Sequence, residues 1–157
     1  EVFDFRYVPL EELLRRADIV TLHVPHLPST HHLMDRRAFG RMKRGALLIN
    51  TARGGLIDTG ALVWALDQGR VGGAGLDVLE GEELVKEERQ LLSKDFSKDK
   101  LTTALKNHIL LHRENVVITP HIAFDSREAL QRILETTVTN INSFLSGSAT
   151  NLVTRYP

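Results

Sequence analysis

Apolar residues recur along this chain in two rhythms, and the switches between them mark out its elements. "LEELLRRA", Leu10–Ala17, carries apolar residues at helical spacing with Pro9 just before it, and predicts a helix. "DIVTLHVP" follows, where Ile19, Val20, Leu22 and Val24 run up to a stop at Pro25, and predicts a strand. "DRRAFGRMKRG" reads as a short helix capped by Gly45, and Ala46–Asn50 as a second strand. In "DTGALVWALDQG", Asp58 or Thr59 is the N-cap, Gly69 is the stop, and Leu62, Val63 and Leu66 share a face. Gly72–Val78 predicts a third strand softened by glycine, and "NVVIT" a fourth.

Strands alternating with helices at this spacing imply βαβ units and a parallel sheet. The strands are continuous apolar runs, as expected when helices cover both faces. The segment between Glu80 and Asn115 is charged and partly helical, and its charges read as a solvated face without chemistry. After Phe124, Ser126 opens a long amphipathic helix closing at Gly147, with Ala129, Ile133, Thr137 and Ile141 in one series and Leu130, Leu134 and Val138 in another. Neither an internal repeat nor a low-complexity tract is present.

The 157 residues suit one domain with a real core. Lys+Arg and Asp+Glu balance at 20 each, so net charge gives no argument for nucleic acid or an acidic membrane as partner. No apolar run approaches the roughly 18–20 residues of a membrane span. Cysteine is absent, which removes disulfides and thiolate metal sites. A cytoplasmic location is the default expectation. The opening "EVFDFRYVPL" has no Met and no clear first element, and points to a fragment of a longer protein.

In open parallel sheets, ligands bind beyond the carboxyl ends of the strands. The residues after each predicted strand are therefore the candidates: His23-Val24-Pro25, then Thr51-Ala52-Arg53 followed by Gly54-Gly55, then Asp77 with Glu80 and Glu82, then His121. Each alone has a plain reading, as a surface arginine, a solvated acid or a packed histidine. Together they bring a guanidinium, carboxylates and an imidazole to one rim. A guanidinium matches a carboxylate bidentately and polarises an adjacent carbonyl. A histidine gives or takes a proton near neutrality, and a carboxylate beside it fixes its tautomer. That set suits a 2-oxo acid. The hydride it still needs comes from no side chain; a dinucleotide on the same rim could supply it.

"ADIVTLHVP", "LLINTARGGLIDTGALVWAL", "GGAGLDVLEGE" and "NVVITPHIAF" together resemble the NAD-binding half of the D-isomer-specific 2-hydroxyacid dehydrogenases, in order and over nearly the whole chain. "DVLEGE", without a proline after the Glu, is closer to the D-lactate dehydrogenase branch, including its vancomycin-resistance type. The phosphoglycerate and glyoxylate branches usually show Glu-Pro there.

The resemblance implies a Rossmann-like α/β fold, with a parallel sheet flanked by helices, from the C-terminal portion of a two-domain dehydrogenase. Residues 1–124 would be the second part of the NAD-binding domain, and residues 125–157 a helix and tail crossing back to the substrate domain. The implied reaction interconverts a pyruvate-like 2-oxo acid and a D-lactate-like 2-hydroxy acid with NAD. Arg53 would bind the substrate carboxylate, His121 would be the acid/base, and Glu82, five residues after Asp77, would pair with it, with Glu80 as competitor. Val24, Pro25, Thr30, Thr51, Ala52, Arg53 and Asp77 would line the cofactor, and Phe124 would approach the substrate side chain. The full-length protein would be a homodimer, without nucleic acid or membrane partners.

Two departures stand out. The G-x-G-x-x-G phosphate loop is absent, and by family order belongs upstream of Glu1; Gly72-Gly73-Ala74-Gly75 enters a strand and does not replace it. The isolated chain is therefore expected to be inactive. Asp125 stands where lactate enzymes usually carry an aromatic residue, which leaves the 2-oxo acid open. The alternatives are an NAD-binding corepressor-like regulator, or a phosphoglycerate- or glyoxylate-type enzyme. The histidines of "HVPHLPSTHH" raise a metal site, but on an extended segment His31 and His32 point apart with no acidic partner nearby. The stretch reads instead as a loop over the cofactor edge.

Overall fold

In the computed structural model, described over residues 5–82 and 98–152, the chain divides into two compact units, residues 1–121 and 122–157. The first unit begins with α1 (Leu10–Arg16), β1 (Ile19–Leu22), α2 (Arg36–Arg41) and β2 (Ala46–Asn50), and a 3-10 turn (Gly54–Leu56) leads to α3 (Thr59–Asp67). β3 (Val71–Leu76), α4 (Lys98–Leu111) and β4 (Val116–Ile118) are its remaining elements among the described residues. The four strands lie in sequence order and all pair in parallel. The parallel βαβ arrangement expected from the sequence is thus present, as a Rossmann-like sheet.

The caps follow from side-chain chemistry. The Asp35 carboxylate accepts from the Ala38 amide at 2.7 Å to start α2, and Asp58 accepts from Ala61 at 3.0 Å to start α3. Asp58, not Thr59, is therefore the cap. The α2 helix ends at Arg41, before the predicted stop at Gly45, because Met42 is already extended. Gly45, at φ 78°, instead sits in the turn into β2. β1 ends at Leu22 and β3 at Leu76, each two residues short of its predicted end, since the chain leaves the sheet to build the rim.

Val20, Leu22, Leu48 and Leu76 fill one face of the sheet, packed with Phe39, Leu62, Ala65 and Leu110 from the helices. Leu110 shows that the charged segment also supplies core, and only part of its surface is solvated; residues 83–97 lie outside the described residues. The other face is open among the described residues. Ile19, Leu47 and Val117 are exposed there, Val117 by 66%.

The second unit holds α5 (Arg127–Leu145), started by the Ser126 hydroxyl accepting from the Ala129 amide at 3.2 Å. Among the described residues, no helix is long and apolar enough to cross a membrane.

Candidate active site

The carboxyl ends of β2, β3 and β4 are tied to one another before any catalytic side chain enters. The Asp77 amide donates to the Asn50 carbonyl at 2.9 Å, and the Thr119 amide to the Leu76 carbonyl at 3.0 Å. Asn50 is fully buried; its side chain donates to the Arg53 carbonyl at 2.9 Å and accepts from the Ala52 amide at 3.0 Å. It thereby shapes the turn that carries Arg53. A polar residue ending the apolar run "ALLIN" was the available signal for this role, and the sequence reading passed over it.

Two clefts open along this rim. One, of ≈ 640 Å³, is lined by His23, Val24 and Pro25 after β1 and by Thr51, Ala52 and Arg53 after β2. The other, of ≈ 280 Å³, lies between His26 and His31 on one side and Leu79 to Glu82 on the other, with Arg53 and Gly54 also lining it. Arg53 belongs to both. Its Nη1 donates to the Ala52 carbonyl at 2.6 Å, which holds the guanidinium near its own turn. Thr30 is not a wall of either cleft. Its hydroxyl donates to the Pro25 carbonyl at 2.7 Å and accepts from the Leu27 amide at 2.8 Å, so it shapes the loop that presents Val24 and Pro25. Asp77 is buried, and its carboxylate accepts from the Thr119 hydroxyl.

His121 and Glu82 meet directly, with Nδ1 and Oε1 2.7 Å apart. The other carboxylate oxygen of Glu82 accepts from the Leu79 amide at 3.3 Å. The His121 amide donates to the Thr119 carbonyl at 3.0 Å across Pro120, closing a three-residue turn after β4. His121 itself stands at φ 58°, a left-handed conformation that costs about 1–3 kcal/mol in a non-glycine residue and tends to persist at functional sites.

Glu80, the competing acid, is held elsewhere. It accepts from the Thr59 hydroxyl at 2.7 Å, the Thr59 amide at 3.2 Å and His32 Nε2 at 2.6 Å. Burial alone would raise its pKa, but the bonds from Thr59 and His32, with the charge of His32, hold it below the usual carboxylate value. This corrects the reading of the histidine stretch in two respects. His31 and His32 do not point apart: His32 adopts φ 52°, and the two rings stack with centroids 3.8 Å apart. An acidic partner is also present, reached across 48 residues of sequence, which no local reading could show. Among the described residues, no group of three or more acidic, histidine or cysteine side chains is placed to hold a metal.

The larger cleft accords with a dinucleotide. Its volume lies in the usual range of about 300–1,000 Å³ for small-molecule sites. Val24, Pro25, Thr51 and Ala52 stand along its walls with His23, His26 and Arg53, and a buried carboxylate, Asp77, follows β3. Phe124 and Asp125 belong to the second unit, where Phe124 is exposed and the Asp125 amide donates to the Ile122 carbonyl at 2.8 Å.

Residues 1–123 match the family model described as D-isomer specific 2-hydroxyacid dehydrogenase, NAD binding domain. A D-specific alpha-keto acid dehydrogenase of Enterococcus faecalis is 48% identical over 138 residues, covering 88% of this chain and 41% of that protein. A D-lactate dehydrogenase of Aquifex aeolicus, solved with NAD and lactic acid, superposes with a TM-score of 0.78 at 40% identity, over 91% of this chain and 41% of its own. A D-isomer specific 2-hydroxyacid dehydrogenase of Lactobacillus delbrueckii ssp. bulgaricus, in its NAD-complexed form, gives 0.78 at 34% identity, over 95% of this chain and 43% of its own. The chain thus spans about two fifths of the length of these relatives. It belongs to the D-isomer-specific 2-hydroxyacid dehydrogenases and corresponds to their NAD-binding domain.

Proposed function

We propose that the protein containing this chain interconverts a pyruvate-like 2-oxo acid and a D-lactate-like 2-hydroxy acid. The observation that carries the reading is the 2.7 Å His121–Glu82 pair, on a rim where Glu82 and Arg53 line one cleft. Arg53 binds the substrate carboxylate through its planar fork and polarises the neighbouring carbonyl. Glu82 engages Nδ1 of His121, so Nε2 is the nitrogen that exchanges a proton with the substrate oxygen. In oxidation, Nε2 takes the hydroxyl proton as the hydride leaves C2. In reduction, it returns the proton to the ketone oxygen. Glu82 stabilises the imidazolium that forms in between.

Bound NAD supplies the hydride acceptor or donor. Val24, Pro25, Thr51 and Ala52 would hold it along the larger cleft, Thr30 would shape the loop over it, and Asp77 would hold its carboxamide. Residues 1–124 form the second part of the NAD-binding domain in this reading, and residues 125–157 return to the substrate domain, bringing Phe124 toward the substrate side chain. The whole protein is a homodimer, which sedimentation of the full-length chain tests.

The reading is tested by following NADH consumption by the full-length protein with pyruvate and a series of 2-oxo acids. Turnover with at least one of them is expected. A folded full-length protein that binds NADH and turns over none of them would be a binding protein, and the reading would be wrong.

A further inference from the structure

The tripeptide Glu80-Gly81-Glu82 carries two histidine–carboxylate pairs, and only one of them belongs to the reaction. Glu82 meets His121 at 2.7 Å, while Glu80 meets His32 at 2.6 Å. Gly81 lies between them at φ 67°, a left-handed turn that lets neighbouring carboxylates leave the loop in different directions. Both histidines also have left-handed backbones, at φ 52° for His32 and φ 58° for His121. Such backbones are sterically unfavourable in non-glycine residues and persist where the surroundings over-determine them.

Glu80 is gripped from three directions. His32 comes from the loop after β1, the Thr59 hydroxyl and amide from the start of α3, and Asn107 Nδ2 of α4 donates to the Glu80 carbonyl at 2.9 Å. His32 in turn donates its amide to the Gly55 carbonyl at 2.9 Å, in the turn that follows Arg53. One residue therefore links the arginine turn, through its amide, to the loop of Glu82, through its ring. The aim of Glu82 depends on that loop, because its second oxygen accepts from the Leu79 amide and its own amide donates to the Leu79 carbonyl at 3.2 Å.

We propose that His32 and Glu80 are a positioning pair, which fixes the 79–82 loop so that Glu82 stays on His121 and keeps the second carboxylate away from that imidazole. The inference rests on the reading of Glu82 and His121 as the acid/base pair. Neither His32 nor Glu80 is asked to touch substrate.

The test compares full-length wild type with His32→Leu, which removes the donor to Glu80, and His32→Gln, which retains an N–H donor. Two readouts are taken: kcat and KM for the 2-oxo acid, and the downfield NMR proton resonance of the His121 Nδ1–H bonded to Glu82. In His32→Leu, kcat is expected to fall about 10- to 100-fold with little change in KM, as for a misplaced catalytic group, and the resonance is expected to be lost. His32→Gln is expected to restore both. Should His32→Leu not fold, Thr59→Val, which deletes the other side-chain donor to Glu80, carries the same expectation. Equal kcat in the Leu and Gln variants, or a His121 resonance that survives in the folded Leu variant, would overturn the proposal. If wild type turns over no 2-oxo acid, the functional reading fails, and the resonance alone still decides whether His32 positions Glu82.

Discussion

The two acids of one tripeptide separate at the residue scale because their surroundings differ. Glu80 accepts three hydrogen bonds and is held below its ordinary 4.5, whereas Glu82 divides its oxygens between His121 and the loop backbone. The depressed value has a definite sign in stability. A carboxylate whose folded pKa is lowered stabilises the fold above its unfolded pKa, and that contribution disappears as pH falls through the folded value. The unfolding midpoint in urea should therefore drop on acidification from neutral pH to about 3, and part of that drop should be missing in Glu80→Gln. Identical acid dependence in both proteins would show that Glu80 gains nothing from its partners. Arg53 gives a sharper residue-scale prediction. Arg53→Lys keeps the charge and loses the planar fork, so kcat/KM for the 2-oxo acid should fall while NADH binding changes little. An unchanged kcat/KM would remove Arg53 from the carboxylate role.

Elements decide whether these residues meet. Gly54, directly after Arg53, faces the loop of Glu82 so closely that an added Cβ would lie 2.1 Å from the Leu79 carbonyl carbon and 2.5 Å from the Glu80 amide nitrogen. Backbone cannot yield there as a flexible side chain would. Gly54→Ala should cost about 1–3 kcal/mol by overpacking, read from denaturant unfolding, and should lower kcat/KM as well. A variant with wild-type stability and rate would show that the two loops move freely. On the opposite side, α4 contributes buried Leu110 to the core and Asn107 to the Glu80 carbonyl. Leu110→Ala should cost about 2–5 kcal/mol.

The strands and the caps of α3 and α5 were legible in the sequence because they depend on neighbours: an apolar run bounded by Pro or Gly, or Asp58 and Ser126 three residues before the amides they cap. The ends of β1 and β3, the early stop of α2, and the part played by Asn107 were not legible in this way. Each depends on a contact remote in sequence or on where the rim leaves the sheet. His32 is the clearest case, since its partner lies 48 residues away and its ring orientation follows from a backbone angle that no spacing rule anticipates.

At the scale of the whole molecule, a sheet with one packed face and a tied carboxyl rim makes a rigid base for groups drawn from distant parts of the chain. Leu48, fully buried between β1 and β3, sits at its centre, so Leu48→Ala should lower the cooperative stability of residues 1–121 by about 2–5 kcal/mol without selectively altering substrate use. The resemblance to the D-isomer-specific 2-hydroxyacid dehydrogenases was readable because its four signature stretches are the strand ends that form this rim. Whether His121, held by Glu82, moves the proton is read from kcat for pyruvate reduction in full-length wild type and His121→Ala. A fall of about 10²- to 10⁴-fold is expected, with the fold and NADH binding retained. Turnover at the wild-type rate in the alanine variant would contradict it.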